Sequence, residues 1–255
     1  MKHLLLFAIF LFVLIHKLSI DANQQITVAA AANVQFAMNE LKTEFTKETG
    51  IDVSVIIGSS GQLTAQIKNG APYDVFISAD MKYPETLFQD KAAVDSPRVY
   101  ADGSLVVWTM KRKIKFDKNL TILLSGKINK IALANPRTAP YGAAAVEALK
   151  HFNLYNKVKD KLIYGESIAP TNQFIYSKAA DAGFTAKSVV LSPQMKAKGR
   201  WMEIDTNSYK PIEQGCVLLK YGYDNHKNES IKFYNFLFSK KAKKILLKYG
   251  YKVAK

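Results

Sequence analysis

The chain has 255 residues, 48% of them hydrophobic, enough for one large domain or two of ordinary size. Its single cysteine, Cys216 in the run GCVLL, excludes an internal disulfide, so stability must come from apolar cores and Cys216 reads as a small buried hydrophobe. A net charge of +15 would suggest nucleic acid in a cytosolic protein, but the lysines are dispersed over helices and turns and no aromatic-basic RNA or DNA motif appears. The dense cluster Lys240, Lys241, Lys243 and Lys244 reads as a solvated helix face, and the excess charge attracts anions or an acidic membrane surface over long range.

Residues 1–22, MKHLLLFAIFLFVLIHKLSIDA, read as a secretory signal removed near Ala22. They combine Lys2, an apolar stretch from Leu4 to Ile15 too short for a comfortable membrane span, and small residues before the cut. Loss of Lys2, Lys17 and Asp21 leaves +14 on an exported, soluble chain. ITVAAA (26–31) then reads as a strand. A helix over 33–49 follows, with Val34, Ala37, Met38, Leu41 and Phe45 on one face and Gly50 as its stop. VSVII (53–57) is a short β-branched strand ended by Gly58-Ser59-Ser60-Gly61, after which Leu63 and Ile67 recur at helical spacing. YDVFISA (73–79) is a third strand, and Asp80 caps a helix carrying Leu87 and Phe88.

The pattern restarts at SLVVWTM (104–110). IALAN (131–135) is a strand whose continuation NPRTAPYG opens a helix through Leu149. KLIYGES (161–167) is another strand, and SIAPTNQ opens another helix, expected to close at Ala182–Gly183. GCVLLKYG is the last strand, and two helices end the chain, the second at Gly250. Alternating strands and helices imply two α/β halves, each a largely parallel sheet covered on both faces. The expected division puts residues 23–103 and 218–255 in one lobe and 104–217 in the other, with a cleft between them.

Ligands of open parallel sheets bind at the carboxyl ends of strands, near helix N-termini. Four junctions here share a small or polar character: AAAANV at Asn33, GSSGQ at Ser60, TAPYG at Tyr141 and ESIAP at Ile168. Taken singly, Asn33 and Ser60 read as helix caps, Tyr141 as a partly buried aromatic, and Ile168 as a source of backbone only. Together they supply N–H groups, an amide, hydroxyls and a phenol, with no cation at the centre. Donors alone saturate a fully deprotonated tetrahedral dianion, whereas protonated phosphate needs an acceptor, and only Glu166 lies near. The set therefore leans towards sulfate- or molybdate-like anions. Enzyme signatures are scarce: residues 23–255 hold only His151 and His226, and GSSG lacks the GxSxG spacing. A Ser60-dependent hydrolase is the alternative from another class.

The blocks ITVAAAANVQFAMNELKTEF, GSSGQLTAQIKNGAPYDVFISAD, SLVVW, NPRTAPYGAAAVEAL and the closing KYGY resemble the periplasmic molybdate-binding proteins of ABC transporters over nearly the whole mature chain. The resemblance implies a type II periplasmic-binding-protein fold that closes on molybdate or tungstate as a monomer without a cofactor or catalysis. It also implies delivery to a membrane permease with its ATPase. Sulfate or another tetrahedral oxyanion is the runner-up ligand. The family's site positions fall on Asn33, Ser60, Tyr141 and Ile168. Ala186 stands where many relatives have a ligand-touching tyrosine, and the Tyr141 phenol is the expected substitute.

Overall fold

The computed structural model describes residues 25–253, so the expected secretory segment lies outside the described residues. Two five-stranded sheets form the framework, in the orders β2-β1-β3-β10-β4 and β7-β6-β8-β5-β9. In the first, β1 (Gln25–Ala31) lies between β2 (Asp52–Gly58) and β3 (Val75–Ile77), parallel to both, with Val28 opposite Val55 and Val75. β1 is buried at every position from Val28 to Ala31 because helices cover both faces, which is why it reads as a continuous apolar run.

Helix α1 (Gln35–Thr49) buries Ala37, Met38, Leu41 and Phe45, the face expected from its spacing. It stops at Gly50, whose left-handed φ of 73° lets its N–H return to the Thr46 carbonyl. Helix α2 (Ser60–Lys68) follows β2 directly, and α3 (Lys82–Gln89) follows β3. The chain crosses between lobes at Ser104: β4 (Arg98–Gly103) pairs in the first sheet and β5 (Leu105–Thr109) in the second. The second lobe then repeats the plan. β6 (Ile131–Ala134) leads into α4 (Pro140–His151), and the short α5 (Tyr155–Val158) precedes β7 (Leu162–Gly165). β7 leads into α6 (Ile168–Tyr176), and β8 (Ala182–Ala186) into α7 (Lys187–Val190).

Three expectations need correction. Residues 182–186 form not the close of a helix but β8, parallel to β6 and buried at every position; α6 has already ended at Tyr176. The return crossing comes earlier than residue 218. After β9 (Arg200–Glu203), β10 (Ile212–Leu218) already belongs to the first sheet, antiparallel to β3 and β4. Third, three helices rather than two close the chain: α8 (Lys220–Asn225), α9 (Lys227–Phe236) and α10 (Lys240–Lys248).

These last helices complete the first lobe. Phe233 and Phe236 of α9 pack on Phe45 of α1 at ring separations of 5.0 and 5.4 Å, in the same core as Cys216. Burial pushes the Cys216 thiol up from its ordinary pKa, so it sits there as a neutral apolar group. Past α10, Lys252 bridges to Asp102 beside the first crossing, bringing Tyr251 into the hinge.

At the other end of the second sheet, Asp181 ties three segments together. One oxygen pairs with Lys111, and the other accepts the N–H groups of Asn129 (2.6 Å) and Lys130 (2.9 Å). Burial alone would raise this carboxyl, but the Lys111 ammonium and the two N–H groups outweigh it and hold it below the usual carboxylate range. A depressed folded pKa means that the stabilisation is fully present above the unfolded value near pH 4 and is lost as pH falls through the lower folded value. Asp181→Ala is therefore expected to cost about 1–3 kcal/mol at neutral pH in urea denaturation. The gap from the parent protein should close below about pH 4; a constant gap across that range contradicts the assignment.

Candidate functional site

The first turns of α2, α4 and α6 and the turn Ala32–Val34 after β1 all begin at the carboxyl end of a parallel strand, two in each lobe. They meet in a tight pocket of about 10 Å3 lined by Ala31, Asn33, Ser59, Ser60, Tyr141 and Ile168 among others. All four expected residues thus line one space, and each is buried, at 1% exposure for Asn33, 0% for Ser60, 2% for Tyr141 and 4% for Ile168. That volume is far below the roughly 300 Å3 at which pockets for organic ligands begin, so the closed space excludes them.

Donors dominate the lining. The first N–H groups of a helix have no intrahelical acceptor, and those of Ser60, Tyr141 and Ile168 take no other acceptor among the described residues. The helix dipoles add partial positive charge at the same ends. Gly142 makes the α4 approach possible. A Cβ there would lie 2.1 Å from the Ala134 carbonyl oxygen at the end of β6, so only glycine lets the helix start so close to its strand.

Ser60 is not the helix cap. That role falls to Ser59, which forms a capping box with Gln62: its Oγ accepts the Gln62 N–H at 3.3 Å while its own N–H donates to Gln62 Oε1 at 3.3 Å. Ser60 Oγ instead accepts the Ala79 N–H at 3.0 Å, and its hydroxyl proton has no acceptor among the described residues. Asn33 is not a cap either, because the helices beside it carry no side-chain cap. Its amide nitrogen donates to Gln214 Oε1 (2.7 Å) and to the Tyr251 hydroxyl (2.9 Å), so the amide is committed to the hinge. The Tyr141 hydroxyl packs against Gly103 at the crossing and within reach of the Asn33 amide. Burial above all, then the neighbouring Tyr251 and Tyr209, pushes this phenol well above its ordinary pKa, so it stays a neutral donor. Ala186 is buried at the end of β8 and does not line the pocket.

No Lys, Arg, His, Asp or Glu lines the space. The nearest expected carboxylate, Glu166, is exposed and faces Gln62 Nε2 at 3.5 Å. The lobes are closed over the pocket. Gly61 N–H donates to the Thr138 carbonyl at 2.9 Å, the Tyr83 hydroxyl to the Arg137 carbonyl at 3.1 Å, and the Ser188 hydroxyl to the Asn33 carbonyl at 2.7 Å, all from one lobe to the other. Gly61 is required at the seam, since a Cβ there would meet Tyr83 Oη at 2.7 Å and the Thr138 backbone at 3.0 Å.

Two α/β lobes joined by crossing strands and closed over a buried ligand-sized space define a solute-binding protein. The chain belongs to the family of bacterial extracellular solute-binding proteins, whose pattern matches residues 26–252. It is 36% identical over 228 residues to the molybdate-binding protein ModA of Azotobacter vinelandii, covering 89% of each chain. It is equally identical, again over 228 residues, to ModA of Rhodobacter capsulatus, covering 89% of this chain and 88% of that one. The solved structure of the periplasmic molybdate-binding protein of A. vinelandii superposes with a TM-score of 0.85 at 33% identity, covering 90% of this chain and all of that one.

Sequence reasoning missed the network behind the pocket. Gln214, fully buried at a bulge in β10, accepts from Asn33 and donates to the carbonyls of Ala79 (3.3 Å) and Ile212 (3.0 Å). Tyr251 donates to the Asn33 carbonyl at 3.1 Å. The one available signal was a polar pair, Glu213-Gln214, leading into an apolar run. Gln214→Ala leaves a buried donor and acceptors unpaired and should lower stability by about 1–3 kcal/mol in chemical denaturation. A loss below about 0.5 kcal/mol would contradict this role.

Proposed function

We propose that this chain is an exported, non-catalytic carrier that captures molybdate, and tungstate with it, and delivers the anion as a monomer to a membrane permease and its ATPase. The observation that carries this reading is the meeting of helix N-termini from both lobes in one small pocket that no charged side chain lines. A tetrahedral dianion there accepts hydrogen bonds from the N–H groups of Asn33, Ser60, Tyr141 and Ile168 and from the Ser60 hydroxyl. The Tyr141 phenol, held neutral beside the Asn33 amide, is a further donor in place of the one Ala186 lacks. Several such charge-assisted bonds, each contributing roughly 1.5–3 kcal/mol, hold the ion without an ion pair.

The same lining argues against phosphate. At neutral pH every phosphate ion retains at least one proton and needs an acceptor for it, and no carboxylate lines the space. It argues against a Ser60-dependent hydrolase too, because no histidine, lysine or carboxylate adjoins Ser60 Oγ, whose partner is the Ala79 N–H. The names of the relatives favour molybdate over sulfate, since the two anions share their shape and charge and differ in size.

Calorimetric titration with molybdate, tungstate, sulfate and phosphate tests the reading. Molybdate and tungstate should bind at micromolar concentration or below, sulfate more weakly and phosphate least. Ser60→Ala removes one donor from a buried charge and should weaken molybdate binding by about 1–3 kcal/mol, roughly 5- to 150-fold. Absence of heat with molybdate at micromolar concentration would overturn the reading. Ester turnover abolished by Ser60→Ala would replace it with the hydrolase.

A further inference from the structure

We propose that the end of the second lobe remote from the cleft docks the protein on an anionic phospholipid bilayer. β5 runs away from the crossing at Ser104. Its pairing of Trp108 with Gly183, and that of Ile131 with Ala182, puts the loop after Thr109 beside the starts of β6 and β8. That end lies a strand's length, about 16 Å, from the end of the sheet that faces the cleft. There Lys111, Arg112, Lys113, Lys127 and Lys178 line an open depression of about 570 Å3. Ile114 joins it to a second, of about 450 Å3, which adds Lys115, Arg200 and Trp201.

No Asp or Glu lines either depression, and of these cations only Lys111 has a carboxylate partner, Asp181, among the described residues. The others are exposed. This distinguishes the surface from the cleft, where buried N–H groups face inward and no cation is present. Charges on long, solvated side chains, spread over two adjoining open depressions, fit an extended anionic surface better than one ion.

The aromatic residues point to a bilayer as that surface. Trp201 is 38% exposed beside the cations, and Tyr176 is 36% exposed with Lys198 Nζ 3.1 Å from its hydroxyl and 5.0 Å from its ring centre. Trp and Tyr favour the boundary between lipid and water, and an anionic leaflet attracts clustered Lys and Arg. No helix among the described residues is long and apolar enough to cross a membrane, so the contact formed by this surface is peripheral. The inference rests on the exported location proposed above, which puts the chain opposite a lipid surface. Docking by this end leaves the cleft free and confines the carrier's search for its permease to two dimensions.

Flotation of the purified protein with vesicles of phosphatidylglycerol and phosphatidylcholine, against phosphatidylcholine alone, tests it. Binding is expected on the anionic vesicles at about 50 mM salt, at least tenfold weaker at about 0.5 M, and absent on phosphatidylcholine. The triple variant Arg112→Glu, Lys113→Glu, Lys115→Glu should bind at least about tenfold more weakly, and Lys127→Glu with Lys178→Glu should fall likewise. The control triple Lys232→Glu, Lys240→Glu, Lys244→Glu makes the same change of charge on the first lobe and should fall less than about threefold. Equal losses in patch and control would overturn the proposal in favour of net charge alone. So would indifference to lipid charge, or tighter binding of polyadenylate than of vesicles through the same residues. Thermal shift with molybdate in every variant reports folding and the cleft separately: its absence in the parent protein counts against the carrier reading and leaves the vesicle result standing.

Discussion

An anion taken out of water must be met by donors, and backbone N–H groups at helix starts are donors that the fold itself leaves unpaired. The architecture here is arranged around that constraint. Each lobe sends two strand-to-helix junctions to the same small buried space. Each junction must bring its helix start close to a strand end, which is why small residues crowd there: Ala31, Ala32, Gly58, Ala79, Ala139 and Gly142. In the binding mode proposed above, rigid backbone rather than lysine or arginine supplies the donors, which fixes them in place before the ligand arrives and selects for charge state as well as for charge.

Closure depends on a second set of groups. The crossings at Ser104 and before Ile212 lie beside Asn33, Gln214, Tyr141 and Tyr251, so the hinge and the back wall of the pocket are one buried polar cluster. The Asn33 amide is spent on this cluster, not on the ligand. Asn33 therefore links the two regions: it lines the pocket while its side chain fixes the hinge. The cross-lobe bonds at Gly61, Tyr83 and Ser188 involve few groups, as a carrier that must reopen requires.

The site was legible in the sequence further than the hinge. Strand, small-residue turn and helix start recur as local patterns, so Ser60, Tyr141 and Ile168 could be placed at equivalent junctions before any coordinates. Which of two adjacent serines caps α2 was not legible, because the capping box depends on where Gln62 turns its side chain. β4 and β9 escaped notice because they are edge strands with no long apolar run, and β9 is largely solvent-facing. β8 looked like a helix end because Ala182-Gly183 mimics a stop, whereas Gly183 is there to let the strand pass 2.6 Å from the Ala132 carbonyl, measured from a hypothetical Cβ. The hinge cluster joins residues 181 and 218 positions apart, a separation that no local pattern encodes.

The central claim is that the anion is held by main-chain N–H groups and hydroxyls alone. A crystal structure of the protein soaked in molybdate, with the metal located by its anomalous scattering, tests this most directly. The account predicts one peak between the lobes, with oxygens about 2.7–3.2 Å from the N–H nitrogens of Ser60, Tyr141 and Ile168 and from Ser60 Oγ, and no lysine or arginine in contact. A peak elsewhere, or an anion held in the cleft by a cationic side chain, would contradict it.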